Sequence, residues 1–137
     1  MKWKPQLSAA ENARAALPRL AEKYFEAGRK AASHGKLPTE LHRFRIKTKH
    51  FRYTLEMFRP LYGRRIDSQI RRLEEIQGIL GKMSDRHTIS GLIDGNPALA
   101  RKLEHAARAR AKEFRAHWKE TFDAPHQLRA WKARLGE

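Results

Sequence analysis

The chain has 137 residues, with 30 Lys and Arg against 15 Asp and Glu, a formal charge of +15 and no cysteine. That length suits one domain with one hydrophobic core, and the missing cysteine excludes disulfides, Cys-ligated zinc and thiol nucleophiles and fits a reducing compartment, with the cytoplasm as default. So large a cationic excess repels itself in the compact state, which points to a polyanionic partner: nucleic acid, an acidic membrane or polyphosphate.

The opening MKWKPQLSAAENARAALP lacks the apolar core of a signal peptide, and no stretch reaches the roughly 18 apolar residues of a membrane span, so a soluble, unsecreted protein is expected. Helical periodicity recurs and nothing alternates as strands do, so the class is all-α and residues 1–137 read as a single domain. Ser8 and Glu11 form a capping box that opens a first helix through Leu17, Leu20 and Tyr24 towards Gly35, with Pro18 as a kink or second start. Thr39 caps a second helix, which continues through Phe58 until Pro60 stops it. A third runs from about Arg64 to Leu80, with Ile66, Ile70, Leu73, Gln77 and Leu80 on one face and Gly81 as cap. A short helix follows Ser84 and Asp85. In DGNP, Asn96 is a cap and Pro97 the first position of the longest helix, which reaches about Thr121. DAP ends it before a short amphipathic tail, for a total of about five to six helices.

The second helix carries the densest charge. At about 100° per residue, His42, Arg45, Lys49 and Arg52 fall within roughly 80° of one another, with Tyr53 and Glu56 beside them. Leu41, Phe44, Phe51, Leu55 and Phe58 form the opposite, core-facing stripe. Solubility faces intersperse both signs, yet Glu56 is the one acid on this ridge, and like charges so close repel unless an anion joins them. The same spacing returns 63 residues later in His105, Arg108, Lys112 and Arg115. Arg101 and Lys119 extend that second ridge to about 27 Å of helix with no acid on it. If both helices bury their apolar faces in one bundle, each ridge lies on an outer side or faces the other across a groove.

Arginine's fork, lysine's point charge and a protonated histidine together fit a phosphate chain. With Thr39 as cap, His42 falls in the first helical turn, where unpaired N–H groups add to the attraction for an anion. Nucleic acid would use the same contacts, but the ridges offer few base-edge donors or stacking aromatics; Tyr53 and Trp118 border them and read as core or rim. Membrane-surface binding needs large apolar residues beside the cations, and those are assigned to the core, so no membrane is expected. An enzyme needs a nucleophile with its base, paired carboxylates or a metal site. Glu113, His117 and Glu120 share a helix face but have no matching ligands on other helices, so ion pairing is their expected role and neither metal nor cofactor is expected.

LHRFRIKTKHFRYTLEMF, residues 41–58, with His42, Arg45, Lys49, Arg52, Tyr53 and Glu56 in register, resembles the signature of the CHAD family of histidine-bearing α-helical domains. LPRLAEKYFEAGRKAA upstream and RRLEEIQGILGKMSD downstream are similar to the same family, so the resemblance covers about residues 15 to 95 well and the rest loosely. It implies an up-and-down, four-helix-bundle-like domain that binds inorganic polyphosphate through basic surfaces and is not catalytic. Such domains are often found beside polyphosphate-related enzymes, and association with polyphosphate granules follows. By the resemblance, His42, Arg45, Lys49 and Arg52 contact the ligand while Tyr53 and Glu56 orient the cations. The second ridge of Arg101, His105, Arg108, Lys112, Arg115 and Lys119 rests on spacing alone. The family's full domain is two pseudo-symmetric four-helix bundles around a basic cavity, whereas this chain has length for about one half of it. Either the cavity is absent or two chains pair as a homodimer to rebuild it. RNA or DNA is the alternative polyanion, and an enzyme acting on phosphate chains is a third reading.

Overall fold

The computed structural model of the chain describes residues 2–34, 38–89 and 95–136, with side chains for all of these except 34, 38, 39 and 82–89. In chain order they form α1 (Ala9–His34), α2 (Pro38–Tyr62), a 3-10 turn (Gly63–Ile66), α3 (Asp67–Ile89), α4 (Pro97–Thr121) and the short α5 (Gln127–Gly136). All regular structure among the described residues is helical, as the periodicity required. Among the described residues four long helices carry the fold, fewer than the expected five to six. The short helix expected after Ser84 and Asp85 is not separate, because α3 runs through both to Ile89.

Local chemistry accounts for several ends. The Ser8 hydroxyl accepts from the Glu11 N–H at 3.1 Å while the Glu11 carboxylate accepts from the Ser8 N–H at 3.2 Å, the reciprocal pair of a capping box. Asn96 accepts from the Leu99 N–H at 3.2 Å and Pro97 opens α4. Pro18 lies inside α1 without ending it. Pro60 does not stop α2 either; the helix reaches Tyr62, and Gly63, at φ 65°, turns the chain in the left-handed region where glycine carries no steric penalty. Across this corner the Arg59 guanidinium grips both Asp67 oxygens, at 2.7 and 3.1 Å, and holds the Asp67 carboxyl below the usual carboxylate range. Pro38, not Thr39, starts the helical run of α2, so Thr39 stands within the first turn rather than at the cap.

α1, α2 and α3 run up and down against one another, and α4 with α5 forms the fourth column. Trp118 lies against Gly28, Arg29 pairs with Asp123, Trp131 packs on Phe25, Lys132 pairs with Glu22, and Gly136 meets Pro18. Thus α5 continues along α1 in the direction α4 set, after the break at residues 122–126. The core is aromatic: the fully buried Trp118 stacks on Phe122 at 4.4 Å between ring centres and meets Tyr24, Phe25 and Phe44 edge-on. Truncating such a ring costs on the order of 3–5 kcal/mol. Within this core the Thr48 hydroxyl donates to the Phe44 carbonyl at 2.9 Å, which leaves its oxygen to accept from the Tyr24 hydroxyl, also at 2.9 Å. Both hydroxyls are satisfied, and burial pushes the Tyr24 phenol far above its ordinary value.

Candidate polyanion-binding site

The core stripe of α2 is as its spacing required: Leu41, Phe44, Phe51, Leu55 and Phe58 are buried, with Thr48 among them. The cations, however, do not lie on an outer side. His42, Arg45, Lys49 and Arg52 are all half-buried, because their ridge lies about 110° round the helix from the core and meets the neighbouring α3. Successive contacts set the register between the two helices, with Arg59 on Asp67, Arg52 near Glu74 and Arg45 alongside Gly81. By that register Lys49 stands opposite Gln77 and Gly78.

The cations differ in how far the protein neutralises them. Arg52, with 18% of its side chain exposed, has Nη1 3.0 Å from Glu56 and 3.6 Å from Glu74. Its guanidinium also lies 4.9 Å from the centre of the Tyr53 ring, and the Lys49 ammonium 5.7 Å, so one aromatic ring serves two cations. Arg45 and Lys49 have no acidic partner among the described residues. The Nε of Arg45, the Nε of Arg52 and the Oε1 of Gln77 are buried without a hydrogen-bond partner among those residues. Beside them, a Cβ at Gly78 would meet nothing within 4 Å, and one at Gly81 would meet only the Arg45 side chain. The result is a cationic groove between α2 and α3, with Gly81 beside Arg45 and the exposed Gly78 at its outer edge, whose guanidinium and ammonium can take up phosphate oxygens. His42 lies in the second turn of α2, since the described helix begins at Pro38, rather than in the first turn expected with Thr39 as cap.

Glu74, Gly78 and Gly81 were not in the sequence-derived set. Their signal is the i, i+4, i+7 spacing along α3, and glycines inside a helix cost about 1 kcal/mol each, so two of them on one flank mark a surface kept open.

Arg101, His105, Arg108, Lys112, Arg115 and Lys119 are all exposed along α4. None makes an ion pair among the described residues. On the opposite flank of α4, His117 Nε2 lies 3.3 Å from Glu75 of α3, and Glu113 pairs with Arg110 at 2.7 Å. The α4 ridge thus points away from α3, and the two ridges do not face each other across a groove. Trp118, which borders that ridge and reads in the sequence as core or rim, is fully buried in the core. Tyr53 is 48% exposed, and Trp3, Ile46, Met57, Leu61 and Leu99 also keep apolar surface outside the core to which the sequence assigned it. Among the described residues no helix is long and apolar enough to cross a membrane.

An antiparallel helical bundle with a cationic groove along its second helix is the class that fold and site define. Comparison with protein-family models matches residues 2–94 to the CHAD domain, more than half of the chain, and the chain belongs to the CHAD family. No curated protein and no solved structure matches it. The matched segment contains α1, α2 and α3 with the whole groove, while α4 and α5 lie beyond it.

Proposed function

We propose that the chain binds inorganic polyphosphate in the groove between α2 and α3, without catalysing a reaction on it. The observation that carries this reading is the pair Arg45 and Lys49: half-buried, unpaired with any described acid, with Arg45 beside Gly81, and inside the CHAD segment. A linear phosphate chain offers the repeated oxygens such a pair needs and no bases that would call for stacking or edge recognition. Arg52, held by Glu56, Glu74 and Tyr53, positions the lower end of the groove and contributes a partly neutralised charge.

The test is binding of labelled long-chain polyphosphate to the parent and to the double variant Arg45→Gln, Lys49→Gln. Each charged hydrogen bond lost costs about 1.5–3 kcal/mol, so the tightest binding should weaken at least roughly tenfold. Circular dichroism should be unchanged, since neither side chain belongs to the core. Affinity equal to the parent's would place the ligand elsewhere and overturn the reading.

A further inference from the structure

The α4 ridge lies outside the segment that identifies the family, and nothing in the α2–α3 groove requires it. Its five Lys and Arg side chains and His105 are exposed, span about 27 Å of helix and make no ion pair among the described residues, although the acids of α4 are not far away. Glu113 is taken up by Arg110 on the other flank, and Glu104, beside the ridge, makes no ion pair among the described residues. Helix geometry fixes where the ridge looks. His117 marks the flank of α4 that touches α3, and the ridge is centred about 160° round the helix from it. Arg45 and Arg52 mark the flank of α2 that touches the same α3 from its other side. The groove therefore occupies the α2–α3 edge of the bundle and the ridge the opposite edge, where α4 lies beside α1.

From this two-sided placement we propose that the α4 ridge is a second, independent polyanion site, and that one monomer bridges two polyphosphate chains. The proposal rests on the polyphosphate reading of the groove and adds a second face. The site is open and fully solvated, so its contacts are those of a phosphate-tracking surface: strongly weakened by salt and weaker than the groove. Bridging distinct chains would condense a polyanion rather than merely coat it.

Short polyphosphate chains end-labelled with donor or acceptor dyes test this in one mixture, with binding stoichiometry and mass measured by analytical ultracentrifugation. The parent should bind two chains per monomer and give energy transfer between dyes. Arg108→Gln, Lys112→Gln, Arg115→Gln should bind one chain and lose the transfer, and Arg45→Gln, Lys49→Gln should likewise bind one and lose it. One chain per monomer in the parent, with all binding lost in the groove variant, overturns the second site and leaves the polyphosphate reading standing. Energy transfer that persists in the α4 variant shows bridging by self-association and also overturns it. Absence of any binding by the parent removes the underlying reading itself.

Discussion

Arg45 of α2 lies alongside Gly81 of α3, so closely that a Cβ at Gly81 would stand 3.7 Å from the Arg45 Nε. That is ordinary van der Waals distance, which makes the position informative in two directions. Gly81→Ala should be accommodated, gain about 1 kcal/mol of stability from helix propensity in a urea titration, and leave polyphosphate affinity within about twofold. Gly81→Glu brings a carboxylate to the Arg45 guanidinium and should weaken binding by roughly tenfold. Parent-like affinity in the Glu variant would remove Arg45 from the site.

Glu74 holds Arg52 from across the groove at 3.6 Å, while Glu56 holds it from the same helix at 3.0 Å. Glu74→Gln removes one negative charge from the groove and leaves Arg52 its nearer partner. Binding should tighten by about two- to fivefold at low salt, the size expected of a partly exposed pair, and the gain should fade as salt rises. A loss of affinity would mean that Glu74 matters for placing Arg52 rather than for opposing the ligand.

Gly28 is where α1 lets the Trp118 ring approach its backbone, and a Cβ there would overlap the ring. Trp118 is walled in by Phe25, Phe44 and Phe122 and has nowhere to move. Gly28→Ala should therefore cost about 1–3 kcal/mol through overpacking, despite the helix preference for alanine. The urea midpoint measures it, and an unchanged or raised midpoint would contradict the packing described.

The tyrosines set an alkaline limit. Burial raises the pKa of Tyr24 and, less completely, of Tyr62, whose hydroxyl donates to the Leu135 carbonyl at 2.7 Å. A folded pKa above the unfolded value of about 10 gives stability that is complete below pH 10 and lost as pH rises beyond it, because only the unfolded chain ionises there. Stability measured at rising pH should fall above about pH 10, with a shallower slope in Tyr24→Phe. At the acid end Asp67, its pKa lowered by Arg59, gives stability present above the ordinary carboxylate range and lost below it; Asp67→Asn should flatten that side.

Much of this was legible in the residues. Periodicity and caps at Ser8, Glu11, Asn96 and Pro97 located α1 and α4, and the stripe from Leu41 to Phe58 located the buried face of α2. What failed was punctuation by single residues. Pro60 and Gly81 were read as stops, yet the turn comes from Gly63 at φ 65°, and α3 runs through Gly81 to Ile89. The position of the ridges around the bundle was not readable, since a helical wheel gives angles within one helix and not which neighbour lies at each angle. For that reason Glu74, which half-neutralises Arg52, was missed, and Arg45 and Lys49 could not be singled out from the other cations.

The most direct measurement of the central claim is a competition at equal phosphate concentration, with long-chain polyphosphate added to the protein bound to labelled single-stranded RNA and the chain length of the polyphosphate followed on a gel. The groove has paired its exposed aromatic, Tyr53, with Arg52 and Lys49 rather than leaving it for a base. Polyphosphate should therefore displace the RNA at equal phosphate concentration and emerge with its length unchanged. RNA that holds its place against an excess of polyphosphate, or polyphosphate that shortens during incubation with the protein, would contradict the account.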